Sequence, residues 1–419
     1  METKKTTIMK TWIVITLLAF ASTGLKSQTL NEYLEVAAEN NPGLKAKYAE
    51  FEASMQRSAQ VAQMPNPTLS FGYFIQPIET RVGPQRAKIG LSQMFPWFGT
   101  LKSRSDAAAF IAEAKYFAFI DAREQLFESV RVAYYRLYEN EKLEALEKEN
   151  LSILETLRDL SQNKYENAEG SLADVYRTEV IMDESRTRID LLKAQRTTLS
   201  IQFNNLLNRD NATSIHIEDS LPTSLDSIAL VSESFENHPK MRSIHEMQAS
   251  AYATEHAAQR AGYPGIGLGV DYVFVGERTD VSIPGSGKNA LMPMVSLSLP
   301  IYRKGYAAAR TEAQKQQDSY AFLMQETDNM LESELEKANY NRLEAQSNYD
   351  LLSRQIAKTE TIIKLLLSQY SNDALDFEVL LREQQKLLNY RKNQLRELVK
   401  EHVSLAHIAY LKTESNESK

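Results

Sequence analysis

The chain contains no cysteine. That excludes a disulfide framework, a thiolate metal site and a lipid-modified N-terminal cysteine. It also lacks long apolar runs: Trp12 to Phe20 is nine residues, about half of the roughly twenty that a membrane-crossing helix needs. Basic residues are not in excess. The 48 Lys and Arg face 55 Asp and Glu, a net charge of -7, so there is no basic face for nucleic acid. No Gly-rich phosphate loop precedes a helix and no nucleophile elbow is present, because the run Gly265, Gly267, Gly269 lies inside an alternating segment. The six histidines, His216, His238, His245, His256, His402 and His407, show neither i,i+4 pairing nor a carboxylate arranged for zinc. Met292 and Met294 carry thioethers that suit Cu(I), but without a further methionine cluster they read as packing residues. No catalytic, cofactor-binding or metal-ligating set is expected, and the chain is not expected to be an enzyme.

What is present begins with Lys4, Lys5 and Lys10, the apolar run, and then Ser22, Thr23 and Ser27. This is the layout of a secretory signal peptide, expected over 1–27 with cleavage near Ser27, although Leu25 sits where a small residue is more usual. About 390 residues would remain.

Those residues form a tandem repeat. Ala37-Ala38-Glu39-Asn40-Asn41-Pro42 is echoed by Ser234-Phe235-Glu236-Asn237-His238-Pro239, and Pro42 to Pro67 has the same spacing as Pro239 to Pro264. After Pro67 and Pro264, large apolar residues alternate with small or polar ones, the period of a strand. Loops rich in Gly and Pro, Gln76 to Gln85 and Gly276 to Asn289, lead to second alternating runs, Lys88 to Pro96 and Met294 to Pro300. Each half therefore carries one β-hairpin, 68–96 and 265–300. One face of the four strands holds Leu69, Phe71, Tyr73, Ile75, Ile89, Leu91, Ile266, Leu268, Val270, Tyr272, Phe274, Val295, Leu297 and Leu299. The other holds Ser70, Gly72, Gly90, Ser92, Gly267, Gly269, Asp271, Ser296 and Ser298. A greasy outside and a small, polar inside fit a transmembrane barrel with a wet lumen. A soluble antiparallel sheet with one face on a core gives the same alternation.

From Thr100 to Glu169 the chain has neither proline nor glycine, enough for a helix on the order of 100 Å long. Val130, Ala133, Leu137, Leu143, Leu146, Leu151, Leu154, Leu157 and Leu160 recur mostly at intervals of three and four, a coiled-coil stripe. A turn at Asn167 to Ser171 leads to a returning helix ending near Leu207, so a helical hairpin covers 100–207. The second half copies it over 305–411, with its turn at Ser371 to Ala374. The segment 209–230 links the repeats, 28–208 and 231–412, and 413–419 is a disordered tail. Thin helical stripes and four strands with open edges both need partners. Three copies around one axis answer both needs, with twelve strands closing a barrel.

At this point the chain resembles the TolC family of outer-membrane efflux channels over essentially its whole mature length. The repeat carries the resemblance, with the strand-to-helix junction Leu91-Ser92-Gln93-Met94-Phe95-Pro96-Trp97-Phe98-Gly99, followed by Lys102 and Arg104. Its counterpart is Leu297-Ser298-Leu299-Pro300-Ile301-Tyr302-Arg303-Lys304-Gly305. The resemblance implies a mostly α chain with a transmembrane β part, a homotrimer with a 12-stranded barrel in the outer membrane, and an α-helical periplasmic tunnel. It further implies a periplasmic adaptor protein, an inner-membrane efflux pump and outer-membrane lipid as partners. The implied function is export of small solutes, heavy-metal cations or drugs among them, without a cofactor. The heavy-metal subgroup is suggested by the look of the junction. The chain departs from the family pattern at the second turn, which has no glycine, and at Arg382, where an acid often stands.

Asp174, Asp376 and Glu378 lie just past the two helical turns, where a threefold axis would make acidic rings that gate or select cations. Acids in the first turn of a helix also simply complement its dipole. Phe95, Trp97, Phe98 and Tyr302 fall where strands become helices and are expected to form an interfacial aromatic girdle, with simple packing as the other reading. The rival functions are a secreted coiled-coil scaffold and a periplasmic adaptor without channel activity.

Overall fold

The computed structural model describes residues 29–222, 234–371 and 377–414. The proposed signal segment 1–27, linker residues 223–230, the candidate Asp376 and the last five residues lie outside them. In chain order the elements are α1 (Leu30–Asn40), α2 (Pro42–Ala62), β1 (Thr68–Ile78), β2 (Gln85–Phe95), α3 (Thr100–Glu166) and α4 (Leu172–Leu206). After a 3-10 turn (Phe235–Asn237) come α5 (Pro239–Ala261), β3 (Gly265–Val275), β4 (Ala290–Ser298), α6 (Lys304–Ser371) and α7 (Phe377–Leu411). None of the described helices is long and apolar enough to cross a membrane.

The chain packs as two compact units, and neither is one of the sequence repeats. One is helical, built within 1–41, 126–229 and 338–408. Its core follows the stripe on α3: Val130, Leu137, Leu154 and Leu157 are buried, while Ala133, Leu143, Leu146, Leu151 and Leu160 are half-buried. The segment after α4 is pinned in this unit. Tyr33 Oη accepts from the His216 amide (2.9 Å), Tyr134 Oη accepts from the Glu218 amide (2.9 Å), and Ile217 and Leu221 are buried. At the first hairpin turn Ala168 takes a positive φ of 60°, and Ser171 caps α4 by accepting from the Ala173 amide.

The other unit, within 42–125, 230–337 and 409–419, contains the sheet. Its four strands are antiparallel in the order β1-β2-β3-β4, so the two hairpins, one from each repeat, are joined through β2 and β3. β1 continues to Ile78 and β2 begins at Gln85, shortening the loop expected over Gln76 to Gln85. Pro77 does not stop β1, nor Pro293 β4, because each lies on an edge strand where an unused N–H is not missed. β4 starts at Ala290 and ends at Ser298, so Leu299, expected on the outward face, lies beyond the strand.

Candidate channel wall and helical tip

Cross-strand register sorts the sheet's side chains, because paired residues share a face. On one face Leu69, Leu91, Val270 and Pro293 stand in a row across the strands, and so do Phe71, Ile89, Tyr272 and Leu291. On the opposite face the row is Ser70, Gly90, Asp271 and Met292, followed by Ser92, Gly269 and Met294. This is the partition expected from the two-residue period.

The apolar face of the sheet is not covered by a core, unlike that of a sheet in a soluble protein. Phe71 is 72%, Tyr73 79% and Val295 78% exposed, whereas Asp271 is 2% exposed. Asp271 accepts from Lys88 Nζ at 2.9 Å, which offsets the penalty of burying a carboxylate. Gly90 lies directly beneath this pair. A Cβ there would come within 2.2 Å of Asp271 Oδ1, so the position is closed to any larger residue. At the turn end of the sheet, the Gly276 amide donates to Pro84 O (2.7 Å) and the Gly287 amide to Val82 O (2.8 Å), tying the two hairpin loops together.

At the other end of the strands, Trp97 stacks on Tyr263 with ring centroids 5.3 Å apart and meets Phe98 edge-on at 6.0 Å. Phe98 is 79% and Tyr302 91% exposed, while Phe95, the last residue of β2, is half-buried. Tyr263 belongs to this aromatic group although sequence reasoning did not single it out. Its position just before Pro264, at the start of an alternating run, was the available signal.

The helical tip belongs to the first unit. Beneath it Leu154, Leu157, Met182, Tyr370, Phe377, Leu380 and Leu381 form one apolar cluster drawn from α3, α4, α6 and α7. Asp174 lies in the first turn of α4, half-buried, and Glu378 in the first turn of α7. Arg177 links them: its Nη1 is 3.2 Å from Asp174 Oδ1 and 3.6 Å from Glu378 Oε2. Arg382 Nη2 donates to Glu378 Oε1 at 2.8 Å. The two acids are therefore brought together, but each is met by an arginine within its own chain. Arg177 was legible as the i+3 neighbour of Asp174.

Deeper in the same unit, polar groups occupy the coiled-coil seam. Asn140, Glu147 and Ser161, seven residues apart with Leu154 in the same column, are all buried, as is Asn150. Glu147 is ion-paired to Lys392 and accepts from Ser185 Oγ at 3.2 Å, with Arg188 Nη1 at 3.9 Å. Asn150 donates to the same Ser185 hydroxyl. The heptad spacing of Asn140, Glu147 and Ser161 was the sequence signal for these layers.

Among the described residues no three His, Cys, Asp or Glu side chains converge to hold a metal ion. No protein-family model and no curated protein sequence matches the chain. Solved structures do. CusC, which forms a transmembrane channel, shares 15% identity over 91% of this chain and 91% of its own, with a TM-score of 0.76. The outer membrane protein VceC of Vibrio cholerae shares 13% over 92% and 97%, with 0.73. The outer membrane channel MtrE of Neisseria gonorrhoeae, solved in an open state, shares 18% over 91% and 88%, with 0.73. The mostly helical chain with its single four-stranded antiparallel sheet thus has the fold of these outer-membrane channel proteins.

Proposed function

We propose that the chain is the outer-membrane channel subunit of an efflux system of the TolC type. The observation that carries this reading is the sheet, whose one face exposes large apolar side chains such as Phe71, Tyr73 and Val295 while the other carries serines, glycines and the Lys88–Asp271 pair. Such a sheet is matched to hydrocarbon on one side and to an aqueous lumen on the other. Both edge strands, β1 and β4, have unpaired outer edges, and three copies of the sheet joined edge to edge would close a twelve-stranded barrel. The long helical hairpins, with thin apolar stripes, would pair between copies in the same trimer.

On this reading the protein resides in the bacterial outer membrane and extends into the periplasm. Its helical tip would meet a periplasmic adaptor and an inner-membrane pump. Its cargo is small solutes, with heavy-metal cations and drugs as the classes to compare, and it performs no chemistry on them. Asp174, Asp376 and Glu378 remain the proposed tip ring, with Arg177 and Arg382 added as the groups that hold two of these acids. Phe95, Trp97, Phe98 and Tyr302 remain the proposed girdle.

The test is to extract the full chain from the outer-membrane fraction in detergent, determine its mass, and record single-channel conductance in a planar bilayer. A conducting trimer supports the proposal. A detergent-independent monomer or dimer without conductance overturns it in favour of a scaffold or adaptor.

A further inference from the structure

A cavity of about 420 Å³ lies at the strand-to-helix junction of the second unit, lined among others by Trp97, Thr100, Arg104, Arg260, Tyr263 and Tyr302. No carboxylate lines it. A second cavity of about 630 Å³ shares its Tyr263 wall, adds Arg303 and Arg310, and is likewise free of carboxylates. Of these four arginines, Arg310 is neutralised by Glu255, whose carboxylate oxygen is 3.0 Å from Arg310 Nε. Arg104 and Arg303 are both exposed and form no ion pair with any described residue.

Arg260 is fixed at the floor. Its Nη1 donates to Gly99 O (3.0 Å) and to Ser103 Oγ (2.8 Å), so both hydrogen bonds leave from one nitrogen. Gly99 has a φ of +77°, and a Cβ there would stand 2.4 Å from the same Nη1. Glycine is thus favoured at this position by its backbone, and a larger residue would also displace the guanidinium. Thr100 opens α3, a 67-residue helix whose N-terminus bears the positive end of its dipole. Thr100 is 2% exposed and is one of the residues that line the cavity, and its buried hydroxyl has no hydrogen-bond partner among the described residues. A buried hydroxyl left unsatisfied is unfavourable, and a phosphate oxygen could supply its missing partner. An unpartnered hydroxyl, two arginines and a helix N-terminus around one acid-free cavity make a site for a phosphate ester.

The rim supplies the rest of the ligand. Trp97, Tyr263 and Tyr302 are the amphipathic rings suited to the headgroup level of a membrane, and Leu299 and Ile301 are exposed beside them. A free phosphate would have no use for these apolar neighbours. We propose that the chain binds the phosphodiester headgroup of one anionic glycerophospholipid of the periplasmic leaflet in this cavity. The inference rests on the outer-membrane reading above and adds a defined lipid site to it. Arg104 and the Thr100 hydroxyl contact the phosphate, Arg260 supplies the fixed charge beneath it, and Arg303 adds attraction for the anionic headgroup from the adjoining cavity.

The full chain, delipidated in detergent, is titrated with phosphatidylglycerol, phosphatidylcholine or inorganic phosphate and examined by native mass spectrometry. The expected result is one phosphatidylglycerol per chain, bound about tenfold more tightly than phosphatidylcholine and not displaced by millimolar inorganic phosphate. Arg104→Ala and Thr100→Val should each weaken it about tenfold, with no loss of melting temperature and unchanged conductance. Thr100→Val keeps the side chain's shape, so its effect does not depend on refolding the junction. Equal affinity for both lipids, full competition by inorganic phosphate, or wild-type binding in both variants overturns the proposal. A chain that conducts yet retains no phosphatidylglycerol defeats this inference alone, whereas a chain that neither reaches the outer membrane nor conducts defeats the reading beneath it.

Discussion

The sheet and the helical hairpins handle polar groups in opposite ways. On the sheet, large apolar side chains such as Phe71 and Val295 lie open, and the one buried charge, Asp271, is covered by Lys88 on the polar face. In the helical unit part of the apolar stripe, Val130, Leu137, Leu154 and Leu157, is buried, yet the seam is interrupted by Glu147, Lys392 and Asn150. A coiled coil in water can afford such layers for the register they specify. A sheet in hydrocarbon gains by turning its greasy face outward. On the proposed reading the two regions serve two solvents.

The sharpest way to break that comparison is to unpair the buried charge in the helical seam. Lys392→Met should destabilise the protein by about 3–5 kcal/mol, read from the denaturation midpoint, because Glu147 keeps only Ser185 and the more distant Arg188. Adding Glu147→Leu should recover most of that loss. If the single variant is as stable as wild type, the seam layer is not holding the helices. The matching change on the sheet is Phe71→Arg, expected to cost about 2–4 kcal/mol of membrane stability. Met294→Gln, on the opposite face, should leave the membrane-inserted yield unchanged. Equal yields for Phe71→Arg and Met294→Gln would remove the distinction between the faces.

Protonation offers a gentler test of how buried polar groups are tolerated among helices. His238, at the start of α5, is 2% exposed and accepts from the Lys240 amide through Nδ1. Burial pulls its pKa down from 6.5 to about 4. The Lys240 charge pulls the same way, and a backbone hydrogen bond at Tyr410 and the Glu334 charge pull against it. A depressed histidine pKa means that the unfolded chain takes up the proton first. Its contribution to stability is therefore present above pH 6.5 and lost as pH falls towards 4, by up to about 3 kcal/mol. His238→Asn keeps a capping side chain and should flatten the melting-temperature profile over that window. An unchanged profile would show that another group governs the acid limb. Smallest of all, Arg177→Ala at the tip should change stability by less than about 1 kcal/mol, since its pairs with Asp174 and Glu378 are partly exposed. A change in cation conductance without a change in stability would mark the tip acids as part of the conduction path.

Much of the fold was legible because its periods are simple. The two-residue alternation around Phe71 and Leu268 predicted the strands and their faces, and the glycine-free run after Thr100 predicted α3. Less legible was where proline is tolerated: Pro77 reads as loop, and only its place on an edge strand explains β1 reaching Ile78. The joining of the hairpins through β2 and β3, and the meeting of Trp97 with Tyr263, are long-range pairings that no local period encodes. Asp174 and Glu378 were visible as acids at helix starts. Their shared partner Arg177 reaches Glu378 only in the folded chain.

The central claim, that the sheet's apolar face meets lipid and its polar face meets water, is most directly tested by single cysteines, for which the cysteine-free chain provides a clean background. Cysteines placed at Ser70, Ser92 and Ser296, and at Leu69, Leu91 and Val295, would be exposed to a water-soluble maleimide in intact outer membranes. The account predicts labelling at the first three positions and protection at the second three. Uniform labelling, or protection of the serine positions alone, would contradict it.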